Sequence, residues 1–221
     1  MTDVNAFCVL ESVLSYERMQ TYLDAAHGDC AVALQHYTRN VQLGAAFHGP
    51  LQALEVTLRN TMHGQLATHN GSHWYMDPAP GLNSHARNAI DGQLRHSMGA
   101  LTPGQFVASM SLGFWVRLLG RGCYINGGGK ADYEKTLSRP ALFKAFPGRQ
   151  RRAVQQRLDQ LRQLRNRVAH HEPIFDRNLT EDYALLLEAV GWISADIRAW
   201  IETQSILPDA LQAPLSDPIR F

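Results

Sequence analysis

No apolar run in the chain approaches the roughly 18 residues that a membrane span requires, so no transmembrane helix is expected. Cysteine is scarce: Cys8, Cys30 and Cys123 are an odd number with no CxxC spacing. That argues against a disulfide framework and reads as reduced thiols, mostly core filler, in a cytoplasmic protein. The opening Met-Thr-Asp-Val-Asn lacks a basic region followed by an apolar run, so no signal peptide is expected. Sustained period-two alternation is missing too, which removes the usual signature of strands. Net charge is only +1, so the charge of the whole molecule selects no partner.

What the chain does have is helical periodicity. Val13, Leu14, Tyr16, Met19, Tyr22 and Leu23 predict a helix over 10–26, stopped at Gly28. Asp29 caps a second, running towards Gly44, and Pro50 sits in the first turn of a third that carries Leu54, Leu58, Met62 and Leu66. Trp74 and Tyr75 anchor the loop that follows. A more polar helix over about 84–98 precedes Thr102-Pro103-Gly104, a second N-terminal signal. Phe106–Leu119 is apolar nearly all round and reads as the central buried helix. A short helix lies around 133–146, a long arginine-rich one spans 150–171, and the last runs from Thr180 to about Gln204. The expectation is an all-α helical bundle: one domain of about seven helices, its core within about 10–205 and residues 206–221 a loosely held tail.

Charge is unevenly distributed. Between Arg149 and His171 there are seven arginines against Asp159 alone, a net of +6. From Pro173 to the end, eight acids face three arginines. A basic block ahead of an acidic one suggests an anion-facing surface, and equally a solvated charged helix. Within the block, Val154, Leu158, Leu161 and Val168 form an apolar stripe with Leu164 beside it. At about 100° per residue Arg165 falls inside that stripe, where it needs a partner or a wet cavity. A buried Arg–acid bridge between helices satisfies that need as well as a functional site does. Arg162, Asn166 and His170 share one ridge on the stripe's border. Pro173 disfavours helix at Glu172, so His170 belongs to the last turn, as a cap or as a catalyst.

One chemistry uses all these groups. Cleavage of RNA by its own 2′-hydroxyl needs a base, an acid for the leaving oxygen, and cations on the phosphoryl oxygens. Histidine handles protons near neutral pH, and arginine forks match phosphate. Arg165 and His170 are about 140° apart round a straight helix. Either the last turn unwinds, or two copies of the helix face each other.

Arg165-Asn166-Arg167-Val168-Ala169-His170 resembles the R-x4-H motif of the HEPN superfamily. With His171 it is similar to the Arg-Asn-x-x-x-His-His form of the Abi-like (abortive infection) family. Leu54–Asn60 ahead of Gly71-Ser72-His73-Trp74, and Ser111–Val116 before Leu118-Leu119, resemble further blocks of that family over residues 30–200. The resemblance implies an α-helical homodimer paired through the motif helix. It implies a metal-independent endoribonuclease of phage defence or toxin–antitoxin systems, with Arg165 and His170 catalytic and Asn166 the motif's polar position. Arg162, Arg167 and His171, with Arg59 and His63 on the third helix, are RNA-binding or accessory candidates. RNA is the expected partner, with an antitoxin or phage-derived trigger as regulator. No cofactor and no metal are expected: His63, His69 and His73 have no HExxH pattern and no cysteine partner. The competing reading is a non-catalytic α-helical scaffold whose arginines hold RNA or an acidic partner. Glu55 and Arg59 read as a structural pair, Phe114 and Trp115 as core, and Gly127–Lys130 as a loop without the spacing of a phosphate-binding motif.

Overall fold

The computed structural model describes residues 3–78, 81–98, 101–125 and 128–215. Among these the fold is all-α, with ten α-helices. In order they are α1 (Asp3–Leu14), α2 (Tyr16–Ala25), α3 (Cys30–Asn70), α4 (Ser84–His96), α5 (Pro103–Ser109), α6 (Leu112–Leu118), α7 (Arg151–Ala169), α8 (Leu179–Gly191), α9 (Ala195–Gln204) and α10 (Leu207–Gln212). A π turn (Glu134–Ser138) and a 3-10 turn (Leu142–Ala145) take the place of the helix expected around 133–146. No described helix is long and apolar enough to cross a membrane.

Serine accounts for most of the differences from the sequence expectation. The helix expected over 10–26 breaks at Ser15, whose side chain accepts from the Arg18 amide. The central apolar helix is two, because Ser111 caps α6 through the Phe114 amide. The last helix divides where Ser194 accepts from Ile197 N, and α8 is capped by Asn178 rather than by Thr180. A short hydroxyl side chain offers the backbone a local acceptor, which favours ending one helix and starting the next. Pro50 errs the other way. It lies inside α3, which runs unbroken for 41 residues. The described part of the tail, residues 206–215, is held in place: α10 buries Leu207 and Ala210, and Arg39 donates to the carbonyls of Ala210 and Ala213. Of the tail's prolines, Pro218 lies outside the described residues. Cys8 and Cys123 are exposed, so only Cys30 has any filling role.

The chain packs as two compact units. The first takes residues 1–50, 164–183 and 204–221. Its core joins Phe7, Met19, Tyr22, Ala26 and Ala33 to Leu10, Tyr37 and Phe175. Tyr22 meets Tyr37 edge-on and also touches Phe175, and burial pushes its phenol up to about 12. The second unit takes residues 51–163 and 184–203. Leu54, Leu58, Met62 and Leu66, one turn apart on α3, are fully buried there. Beside them stands an aromatic cluster in which Tyr75 stacks on Phe106 at 3.7 Å, with Trp74 and Trp115 edge-on to Phe106. Phe114 and Trp115 are core, as their place in the apolar run predicts.

Candidate active site

α7 is built as its periodicity dictates. Val154, Leu158, Leu161 and Leu164 are buried, and Val168 is half-buried near the end. In the first unit, the His170 amide still donates to the Asn166 carbonyl at 2.9 Å, so helical register persists through His170. The chain then closes in a Schellman motif. His171 takes φ +56°, its amide donates to Val168 O, and the Glu172 amide donates to Arg167 O at 2.8 Å. The last turn therefore does not unwind, and the offset of about 140° between Arg165 and His170 stands.

Two side chains hold the segment beyond the turn. Asn40, buried on α3, accepts from the Ile174 amide at 2.7 Å and donates to the Glu172 carbonyl at 3.4 Å. Arg167 donates to the Pro173 carbonyl and to Asp176, both within 3.1 Å. Arg18, from α2, donates to the carbonyl of His171 itself. The carbonyl-rich end of the helix is thus met by cations, the favourable pairing with its dipole. The cost of these contacts is that Arg167, a candidate RNA ligand, is committed to its own loop.

The remaining motif residues are placed as follows. Arg165 and Asn166 are half-buried on α7, while His170 and His171 are exposed. The His170 imidazole makes no hydrogen bond with any described residue. A cavity of about 390 Å³ opens beside His171, with Arg18, His48 and Glu172 at its polar edge and Val41, Val168 and Ile174 on its apolar floor. Arg18, Asn40 and His48 were not legible as site residues, because nothing in their local spacing ties them to residues more than a hundred positions later.

Compared with protein-family models, with curated proteins and with solved structures, the chain matches none. The HEPN reading rests on the motif residues and on the helix that carries them.

Two of the three candidates in the second unit have structural duties. Arg162 forms a 2.7 Å ion pair with Asp159 one turn back on α7. His63 accepts from the Trp74 indole through Nδ1 at 3.1 Å. An indole N–H only donates, so Nδ1 carries a lone pair and the ring is neutral; burial holds its pKa below the ordinary histidine value. Arg59 has its Nε buried without a hydrogen-bond partner among the described residues. No cluster of three or more histidine, cysteine or acidic residues arranged to hold a metal occurs among the described residues.

Proposed function

We propose that the chain is a HEPN-type endoribonuclease that cleaves RNA by attack of its own 2′-hydroxyl, in phage defence or as a toxin. The observation that carries this reading is the end of α7, where His170 leaves the helix exposed and in register, one turn beyond Asn166. An unencumbered imidazole takes the 2′-hydroxyl proton. The 2′-oxygen then bonds to phosphorus as the bond to the 5′-oxygen breaks, and an imidazolium protonates that leaving oxygen. The products are a 2′,3′-cyclic phosphate and a 5′-hydroxyl. Arg165 supplies a fork for the phosphoryl oxygens, and Asn166 orients the imidazole or the phosphate.

Because the helix stays wound to His170, Arg165 and His170 of one chain do not share a narrow face. The reading therefore requires two copies, each site drawing Arg165 from one chain and His170 from the other. Cytoplasmic RNA is the substrate class, and an antitoxin or phage-derived trigger is the regulator that the resemblance suggests.

The scaffold reading has one observation in its favour. Arg151, Arg157, Arg162 and Arg167 are tied to Glu134, Glu188, Asp159 and Asp176, so much of the basic block is neutralised within the chain. Incubation of the purified protein with several RNAs, with and without EDTA, separates the two. Cleavage that falls at least about 100-fold in His170→Ala, with the fold retained, supports the enzyme. A wild type that cleaves nothing leaves the scaffold.

A further inference from the structure

The second unit carries two depressions that share Glu134 and Arg151. One, about 370 Å³, has Arg139, Arg149 and Arg152 around an apolar floor that includes Leu119, Leu142 and Phe146. The other, about 490 Å³, is lined by Arg121, Lys130, Ala131 and Asp132. Together they gather six basic side chains against two carboxylates, and the motif at the end of α7 contributes none of them.

Local chemistry places these groups. Gly122, at φ +84°, lies so close to the chain opposite that a Cβ would sit 2.3 Å from the Ala131 carbonyl oxygen. Only glycine permits that approach. The Ala131 amide then reaches Cys123 O at 2.9 Å, and Tyr124 bridges Lys130, so Arg121 and Lys130 ride on a short antiparallel ribbon. Arg151, at the start of α7, spends its guanidinium on Glu134 (2.6 Å) and on the carbonyls of Leu119 and Gly120. Arg139 donates to the same carboxylate, and the hydrogen bond from Arg151 chiefly holds Glu134 below the usual carboxylate range. That acid is saturated. Arg121, Lys130 and Arg152 form no ion pair among the described residues, and Arg149 lies over the Trp192 ring.

Aromatic rings stand at both ends. Phe143 is 54% exposed at the first depression, with the Lys144 ammonium 5.8 Å from its centroid, and Tyr124 beside Lys130 is 80% exposed. Unpaired cations along a track, with rings and an apolar floor beside them, match the two faces of an unpaired polynucleotide: phosphates outside, base faces open for stacking. A duplex conceals its base faces, and an acidic peptide has no use for the rings.

We propose that these joined depressions bind single-stranded nucleic acid, with phosphates on Arg121, Lys130 and Arg152 and bases against Phe143 and Tyr124. From the proposed function this takes only the ligand class, and it stands on different residues. The test is fluorescence anisotropy on the full-length His170→Ala protein, which spares the probe. The probe is a labelled single strand of about 12 nucleotides, with its duplex and a polyglutamate peptide as competitors. Arg121→Ala/Arg152→Ala should weaken single-strand binding at least about 10-fold and flatten the log–log salt slope by roughly 1.4. Phe143→Ala should weaken it about 5-fold or more. All three side chains are exposed, and unchanged melting verifies the fold. No single-strand binding, unchanged binding by these variants, or equal competition by duplex or peptide overturns the inference. Single-strand binding together with a wild type that cleaves no RNA sinks the nuclease alone. Cleavage that persists in the Arg121/Arg152 variant with unchanged affinity sinks the track alone.

Discussion

His171 closes α7 at a backbone angle that usually calls for glycine, and it is not alone in doing so. His27 ends α2 at φ +52° and Met98 follows α4 at φ +53°. The conformation is thus a habit of this chain's helix ends, and by itself it assigns His171 no chemistry. His171→Gly should relieve the strain and raise the urea midpoint, by about 1 kcal/mol of stability. A fall in the midpoint would mean that the imidazole makes stabilising contacts. His63 gives a pH dependence of definite sign. Its folded pKa lies below the ordinary value, so the unfolded chain takes up the proton more readily. Stability should fall as pH drops below about 6.5 and level off once the folded group also titrates. Charging the ring also removes the lone pair that holds Trp74. Urea titrations followed by tryptophan fluorescence across that window should show the decline, and His63→Asn should flatten it.

Among the elements, α3 departs furthest from local preference. It carries Gly44, Gly49, Pro50 and Gly64 inside a single helix. Proline has no amide to give the carbonyl of Ala46, and its ring crowds the preceding turn. Burial of the leucine and methionine stripe beyond Pro50 offsets that local cost. Pro50→Ala should restore the missing bond and stabilise the fold by up to about 3 kcal/mol, less roughly 1 kcal/mol for the packing lost with the buried ring. An unchanged or lower melting temperature would mean that the proline's shape is required there. α7 is the opposite case, because its stripe, arginine face and stop all agree, and its extent was legible to within two residues. The serine-capped breaks at Ser15, Ser111 and Ser194 were less legible, since an apolar run looks continuous until a side chain bonds back to the backbone.

For the whole molecule the sharpest expectation is complementation. Suppose each site takes Arg165 from one chain and His170 from the other. Mixing inactive Arg165→Ala with inactive His170→Ala, followed by subunit exchange, should then rebuild one intact site in each mixed dimer. Equal mixing gives about a quarter of wild-type cleavage. Activity that stays at the level of the separate variants would show that the site is not shared between chains.

Periodicity, caps and composition determined by themselves that this protein is helical, that Phe114 and Trp115 are core, that Trp74 and Tyr75 anchor a loop, and that Arg165, Asn166 and His170 share the last turns of one helix. These are short-range properties, set by the geometry of a few successive residues. Only the tertiary structure decided which cations are committed. Arg167 is drawn to Asp176 and Pro173 by folding that no local spacing encodes, as is the neutral His63 to Trp74, whereas Arg162 reaches Asp159 by ordinary helix spacing. It also left His170 exposed at the end of α7, because the Schellman turn and the Asn40 clamp lead the chain away just beyond it.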